Sequence, residues 1–197
     1  MRSNHVMRLL LVTAWLSVAG CASTRGSPAR PENGWVRVAD CTGPAISLPA
    51  HIADTITPQS YVVKYADLAS SVPGGYAGVL YDSAHLPVLL LTRPQAAESA
   101  RAALVAPLAE SHFPVMSATV QPVRWDYRQL ATWYSYVYPQ IRGDKGLALS
   151  HVDLIHNRIS IGVVDANARD RMVHKLIRLN LPCDLVLVEI TGANQGY

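Results

Sequence analysis

The 197-residue chain has no apolar run approaching the roughly 20 residues that a membrane-spanning helix needs. It has no Cys-x-x-Cys pair and no ordered Cys/His spacing, which excludes the common structural zinc sites. It has no Gly-x-Ser-x-Gly turn to carry a nucleophilic serine. No glycine-rich phosphate loop follows a strand, and Gly74-Gly75 precedes one and reads as a turn. No two carboxylates are spaced for acid–base work. Charge is sparse, with 16% Asp, Glu, Lys and Arg and a net charge of +3. No basic patch argues for nucleic acid and no acidic run for a cation store. Lysine is rare, and the dominance of arginine reads as coding bias. These absences point away from cofactors, metals and catalysis.

What is present starts at the N-terminus. Arg2 and Arg8 make it positive, a short apolar core runs from Leu9 to Trp15, and Val18-Ala19-Gly20-Cys21 closes it. This pattern resembles the lipobox of bacterial lipoprotein signal peptides. The resemblance implies cleavage before Cys21, diacylglycerol on its thiol and acylation of the new N-terminus. More than one acyl chain anchors stably, since each buried CH₂ contributes about 0.8 kcal/mol. Ala22 follows, not aspartate, and by resemblance to enteric lipoproteins this implies the outer membrane, facing the periplasm. Without Arg2 and Arg8 the mature chain carries a charge of about +1.

With Cys21 assigned to lipid, Cys41 and Cys183 remain as an even pair in an oxidising compartment, where a disulfide is the default. Such a bond ties the start of the domain to its end. A loop that long is worth about 4–5 kcal/mol in chain entropy.

Residues 1–20 are therefore read as signal peptide and 21–34 as a flexible tether, small, polar and rich in proline and glycine. Residues 35–192 are read as one α+β domain and 193–197 as a tail. Pro44, Pro49, Pro58 and Pro73 punctuate the start of the domain, and Val62–Leu68 suits a strand or a helical turn. Gly78–Asp82 and Leu86–Leu91 read as a hairpin about Ser83-Ala84-His85. Thr92 reads as an N-cap, with Pro94 just inside a helix whose apolar face is Ala100, Ala103, Leu104 and Leu108. Val115–Val120 reads as the next strand.

The order returns near the end. Leu147–Leu154, a turn at His156-Asn157 and Arg158–Val164 form a hairpin. Asp165 caps a helix striped by Met172, Val173, Leu176 and Ile177. Asn180 and Pro182 stop it, and Leu185–Ile190 closes the unit. Sliding the chain by 73 residues sets Thr92 on Asp165, Val88 on Ile161 and Leu104 on Ile177. The halves 76–122 and 145–191 thus read as two strand-strand-helix-strand units, with antiparallel sheets in a ferredoxin-like or prodomain-like arrangement. The stretch Asn157 to Asp165, then a helix, then Pro182 and Leu185 to Glu189, resembles the prodomain modules of alpha-lytic-type secreted serine proteases.

A helix from Asp126 joins the halves and carries Leu130, Trp133, Tyr134 and Val137 at helical spacing, with Pro139 and Gly143 ending it. Its aromatics suit packing under a sheet or, with Trp133, Tyr134 and Tyr136 outward, a partner-binding face. Among polar residues, a strand places His151 and Asp153 on one face and Ser150 on the other, which precludes a triad among them. His151, Asp153 and His156 are spaced loosely for a metal, and exposed polar residues are the plainer reading. Gly162 marks a bulge or a close backbone approach.

The expectation is a non-enzymatic, lipid-anchored envelope protein that binds a protein or peptide, by strand addition or on the aromatic helix. The alternatives are a structural envelope component recognising cell wall or lipid, and a hydrolase using His151 or His112.

Overall fold

A computed structural model of the chain describes residues 35–39 and 60–192, all within the compact unit Pro31–Tyr197. The signal peptide, the tether, Cys21, Cys41 and the tail lie outside the described residues. Within them the protein is α+β, with two sheets and four helices.

The first half consists of α1 (Ser60–Ser71), β2 (Tyr76–Tyr81), β3 (Pro87–Leu91), α2 (Ala97–Leu104) and β4 (Thr119–Pro122). Helix α3 (Tyr127–Ile141) leads to the second half: β5 (Leu147–Asp153), β6 (Arg158–Val163), α4 (Ala166–Ile177) and β7 (Val186–Ile190). A two-residue strand β1 (Val36–Arg37) precedes both. The sheets run β2-β3-β4 and β1-β7-β6-β5.

The sheets are mostly antiparallel, as expected, with one parallel pair in each. The hairpins β2–β3 and β5–β6 are antiparallel, as is β1–β7, but β4 joins β3 and β7 joins β6 in parallel. The cause is connectivity: a strand that returns through a helix re-enters the sheet in its original direction.

The two halves repeat down to their irregularities. The β2–β3 register skips at Ala77, between Tyr76↔Leu91 and Gly78↔Leu90. The β5–β6 register skips at Ala148, between Leu147↔Val163 and Leu149↔Gly162. Leu104 of α2 and Leu176 of α4 are both fully buried. The structural repeat therefore sets Leu89 on Ile161 and Leu104 on Leu176, one residue off the 73-residue slide. That slip matters because strand faces alternate. Leu89 and Leu91 face α2, as Ile161 and Val163 face α4, whereas Val88 lies in a separate cluster with Leu90 on the opposite face. Ile177, matched to Leu104 by the slide, is 55% exposed.

Other boundaries differ for local reasons. Thr92 caps nothing: its hydroxyl donates to the Gly74 carbonyl, Pro94 opens a short 3₁₀ turn, and α2 starts only at Ala97. Val115–Ser117 is a 3₁₀ turn, so β4 begins at Thr119. Pro139 lies inside α3 rather than ending it. A proline in the last turn forfeits one backbone bond, and fully buried Ile141 favours the extra turn. Val62–Leu68 falls within α1.

Two expected caps are present. Asp126 forms a capping box with Gln129, accepting from its backbone N–H at 2.7 Å, and Asp165 accepts from Ala168 N–H at 2.7 Å. Gly162 faces the Ala148 bulge, and a Cβ there would lie 2.8 Å from Leu149 Cγ. Helix α3 spans both cores: Tyr127 and Ala131 pack with the first half, and Leu130, Trp133, Tyr134, Val137 and Ile141 with the second.

Candidate functional site

The aromatic helix is largely internal. Trp133 is 6% and Tyr134 4% exposed, while Tyr136 is half-buried at the rim of the same core. The core takes up Trp133 and Tyr134 because they share the α3 stripe with Leu130, Val137 and Ile141. The helix therefore does not present the outward aromatic face on which the sequence offered a docking site.

The polar face lies on the other side of the second sheet. His151 and Asp153 are on that face, as strand alternation requires, and Ser150 is on the helix side, hydrogen-bonded to Tyr134. The Asp153 carboxylate holds His156 Nδ1 at 2.5 Å, and the His156 ring lies 5.3 Å from that of Trp35. Glu189 joins this group from β7. Burial holds its carboxyl above the ordinary glutamate range, nearby Asp153 adds to this, and His156 and His151 oppose it. Ser160, cross-strand from His151, is 1% exposed, and its hydroxyl makes no hydrogen bond among the described residues. A carboxylate–histidine pair orients an imidazole, but a nucleophile must also reach substrate, and Ser160 is closed off. Among the described residues no three His, Cys, Asp or Glu side chains are grouped to hold a metal ion.

One edge of this face carries an arginine cluster that the sequence gave no reason to expect. Asp184 sits at φ 60° just before β7. Arg37 of β1 places Nε 3.1 Å from its Oδ1, Arg158 of β6 places Nη1 3.4 Å from Oδ1, and Arg124 places Nη1 3.7 Å from Oδ2. These are ion pairs without hydrogen-bond alignment at Oδ1. Arg158 also donates to the Asp184 backbone carbonyl. Burial lowers the Arg158 pKa, and Arg37 and Arg124 lower it further, against the pull of Asp184. Four separated stretches of chain meet here, so no sequence window shows the cluster, and reading arginine as coding bias hid it.

Asn157 sets the geometry. At φ 53° in the β5–β6 turn, its side chain accepts from Arg124 N–H at 3.1 Å and Trp125 N–H at 2.8 Å, and donates to the Trp125 carbonyl at 2.8 Å. Arg124, Trp125, His156, Asn157 and Arg158 are among the residues lining a cavity of about 180 Å³.

A second surface is apolar. Val105, Leu108, Phe113 and Met116, with His112, line a groove of about 390 Å³ in the segment between α2 and β4. Met116 is 66% and Val105 48% exposed. Exposed apolar surface of this kind marks interaction sites. His85 and His112 occupy turns at positive φ.

Compared with known proteins, the chain matches no family model, no curated protein and no solved structure. Among the described residues no helix is long and apolar enough to cross a membrane.

Proposed function

We propose that this chain is a lipid-anchored envelope protein, non-enzymatic, that binds a protein or peptide partner by accepting a strand along β4. The observation that carries the reading is the comparison of the two repeats. In the second half β7 is not an edge: β1 adds to it, with Val36 opposite Val188 and Arg37 opposite Leu187. Its counterpart in the first half is β4, with Val120 matching Val188 through their partners Leu89 and Ile161. Among the described residues β4 has a neighbour on one side only. Three of its four residues are exposed, and the apolar groove is lined by the chain just before it, up to Ser117. The fold thus accepts an added strand once within its own chain, and β4 offers the equivalent position to another.

The anchor is acylated Cys21, which places the domain at the outer membrane, facing the periplasm. Cys41 and Cys183 form the disulfide, the one intramolecular pairing left once Cys21 carries lipid. Thiol labelling without reductant is expected to find neither cysteine reactive. Cys21→Ser is expected to release the protein from membranes. Met116→Asp, on the exposed rim of the groove, is expected to abolish capture of the partner by the tagged full chain while leaving the fold intact. Undiminished capture by that variant, or sedimentation with cell wall in place of any protein partner, contradicts the reading.

A further inference from the structure

We propose that Arg37, Arg124 and Arg158 form a binding site for a phosphate group. Gln121 and Pro122 of β4 line the same cavity, but the proposal does not depend on strand addition there. Three guanidinium groups surround one carboxylate, Asp184, within 3.1 to 3.7 Å. Three positive charges against one negative leave an excess of two. A phosphate group carries about −1.5 to −2 near pH 7 and so matches that excess.

The geometry favours a tetrahedral oxyanion over a planar one. Arg37 comes from β1, Arg158 from β6 and Arg124 from the segment before α3, so the donors approach from three directions. Guanidinium forks suit phosphate oxygens, and each offers more donors than Asp184 uses. Arg37 and Arg124 side chains are 56% and 53% exposed, open to an incoming ligand, while Arg158 at 23% forms the floor. Arg124 lies over the Trp125 ring at 5.1 Å, which steadies its plane. The indole Nε1–H of Trp125 is buried with no hydrogen-bond partner among the described residues, and Trp125 lines the same cavity of about 180 Å³. A buried donor left unpaired is costly unless a ligand or water takes it.

The phosphate comes either from free inorganic phosphate or from a lipid headgroup. The test uses the full chain carrying Cys21→Ser, which cannot be acylated. Inorganic phosphate is titrated by calorimetry at constant ionic strength in chloride. Saturable binding is expected, weakened about fivefold or more by Arg124→Ala and by Arg37→Ala. Arg124→Lys keeps the charge without the fork and is expected to bind with intermediate affinity. Asp184→Asn removes the competing carboxylate and is expected to tighten binding if the fold holds. A second arm sediments the protein with phosphatidylcholine vesicles with and without phosphatidic acid. Arginine-dependent sedimentation that inorganic phosphate competes away assigns the site to lipid headgroups. Phosphate binding without it assigns the site to free phosphate. No saturable binding in either arm, or binding unchanged in both alanine variants with native circular dichroism, overturns the proposal.

Discussion

The hydroxyl of Tyr134 donates to the backbone carbonyl of Ser150 at 3.1 Å and lies 3.1 Å from the Ser150 hydroxyl as well. The carbonyl belongs to β5, which ends its sheet among the described residues. A carbonyl held by a helix side chain is not available to an incoming strand. Helix α3 thus guards this edge, one of the ways proteins prevent unwanted pairing.

Tyr134→Phe keeps the ring and its stacking on Tyr138, whose centroid is 5.5 Å away. It removes the bond to Ser150. The expected cost is about 1 kcal/mol in urea denaturation, together with a greater tendency of the folded protein to self-associate. Unchanged stability and an unchanged sedimentation profile contradict the guarding role.

Asn157 is expected to matter more than any other turn residue. Its side chain makes three hydrogen bonds to the Arg124–Trp125 backbone, and its own φ is 53°. Asn157→Ala loses the bonds and strains the backbone, at an expected cost of about 2–3 kcal/mol. Asn157→Gly relieves the strain alone and is expected to recover less than half of that loss. Equal denaturation midpoints for wild type and both variants contradict the latch.

Glu189 has its carboxyl held above the ordinary glutamate value of 4.5, chiefly by burial. The folded state therefore binds this proton more tightly than the unfolded state does. The resulting stabilisation is present at low pH and is lost as pH rises through the folded-state pKa. Glu189→Gln cannot ionise, so it is expected to raise the thermal midpoint relative to wild type at pH 7. The gap is expected to close as pH falls below 4.5. A gap that stays constant with pH assigns the effect to packing instead.

The sequence was informative where structure is local. The caps at Asp126 and Asp165, the hairpin turns and the strand-strand-helix-strand order all rest on residues a few positions apart. The repeat was legible but one residue out of register, because Val88 and Leu89 are equally apolar and only the packing of α2 distinguishes them. Strand direction depends on the crossover path, which alternation does not encode. Trp133 and Tyr134 carry the same aromatic signal whether they face a core or a partner. The arginine cluster was invisible because Arg37, Arg124, Arg158 and Asp184 meet only after the sheets form.

The central claim is that a partner strand adds to β4. The most direct measurement places a photo-crosslinking side chain at exposed Gln121 on β4 and, separately, at exposed Ile177 on α4, in otherwise intact cells. The account predicts one discrete adduct from Gln121, lost when Met116→Asp is combined with it, and none from Ile177. Equal adducts from both positions, or none from Gln121, would contradict it.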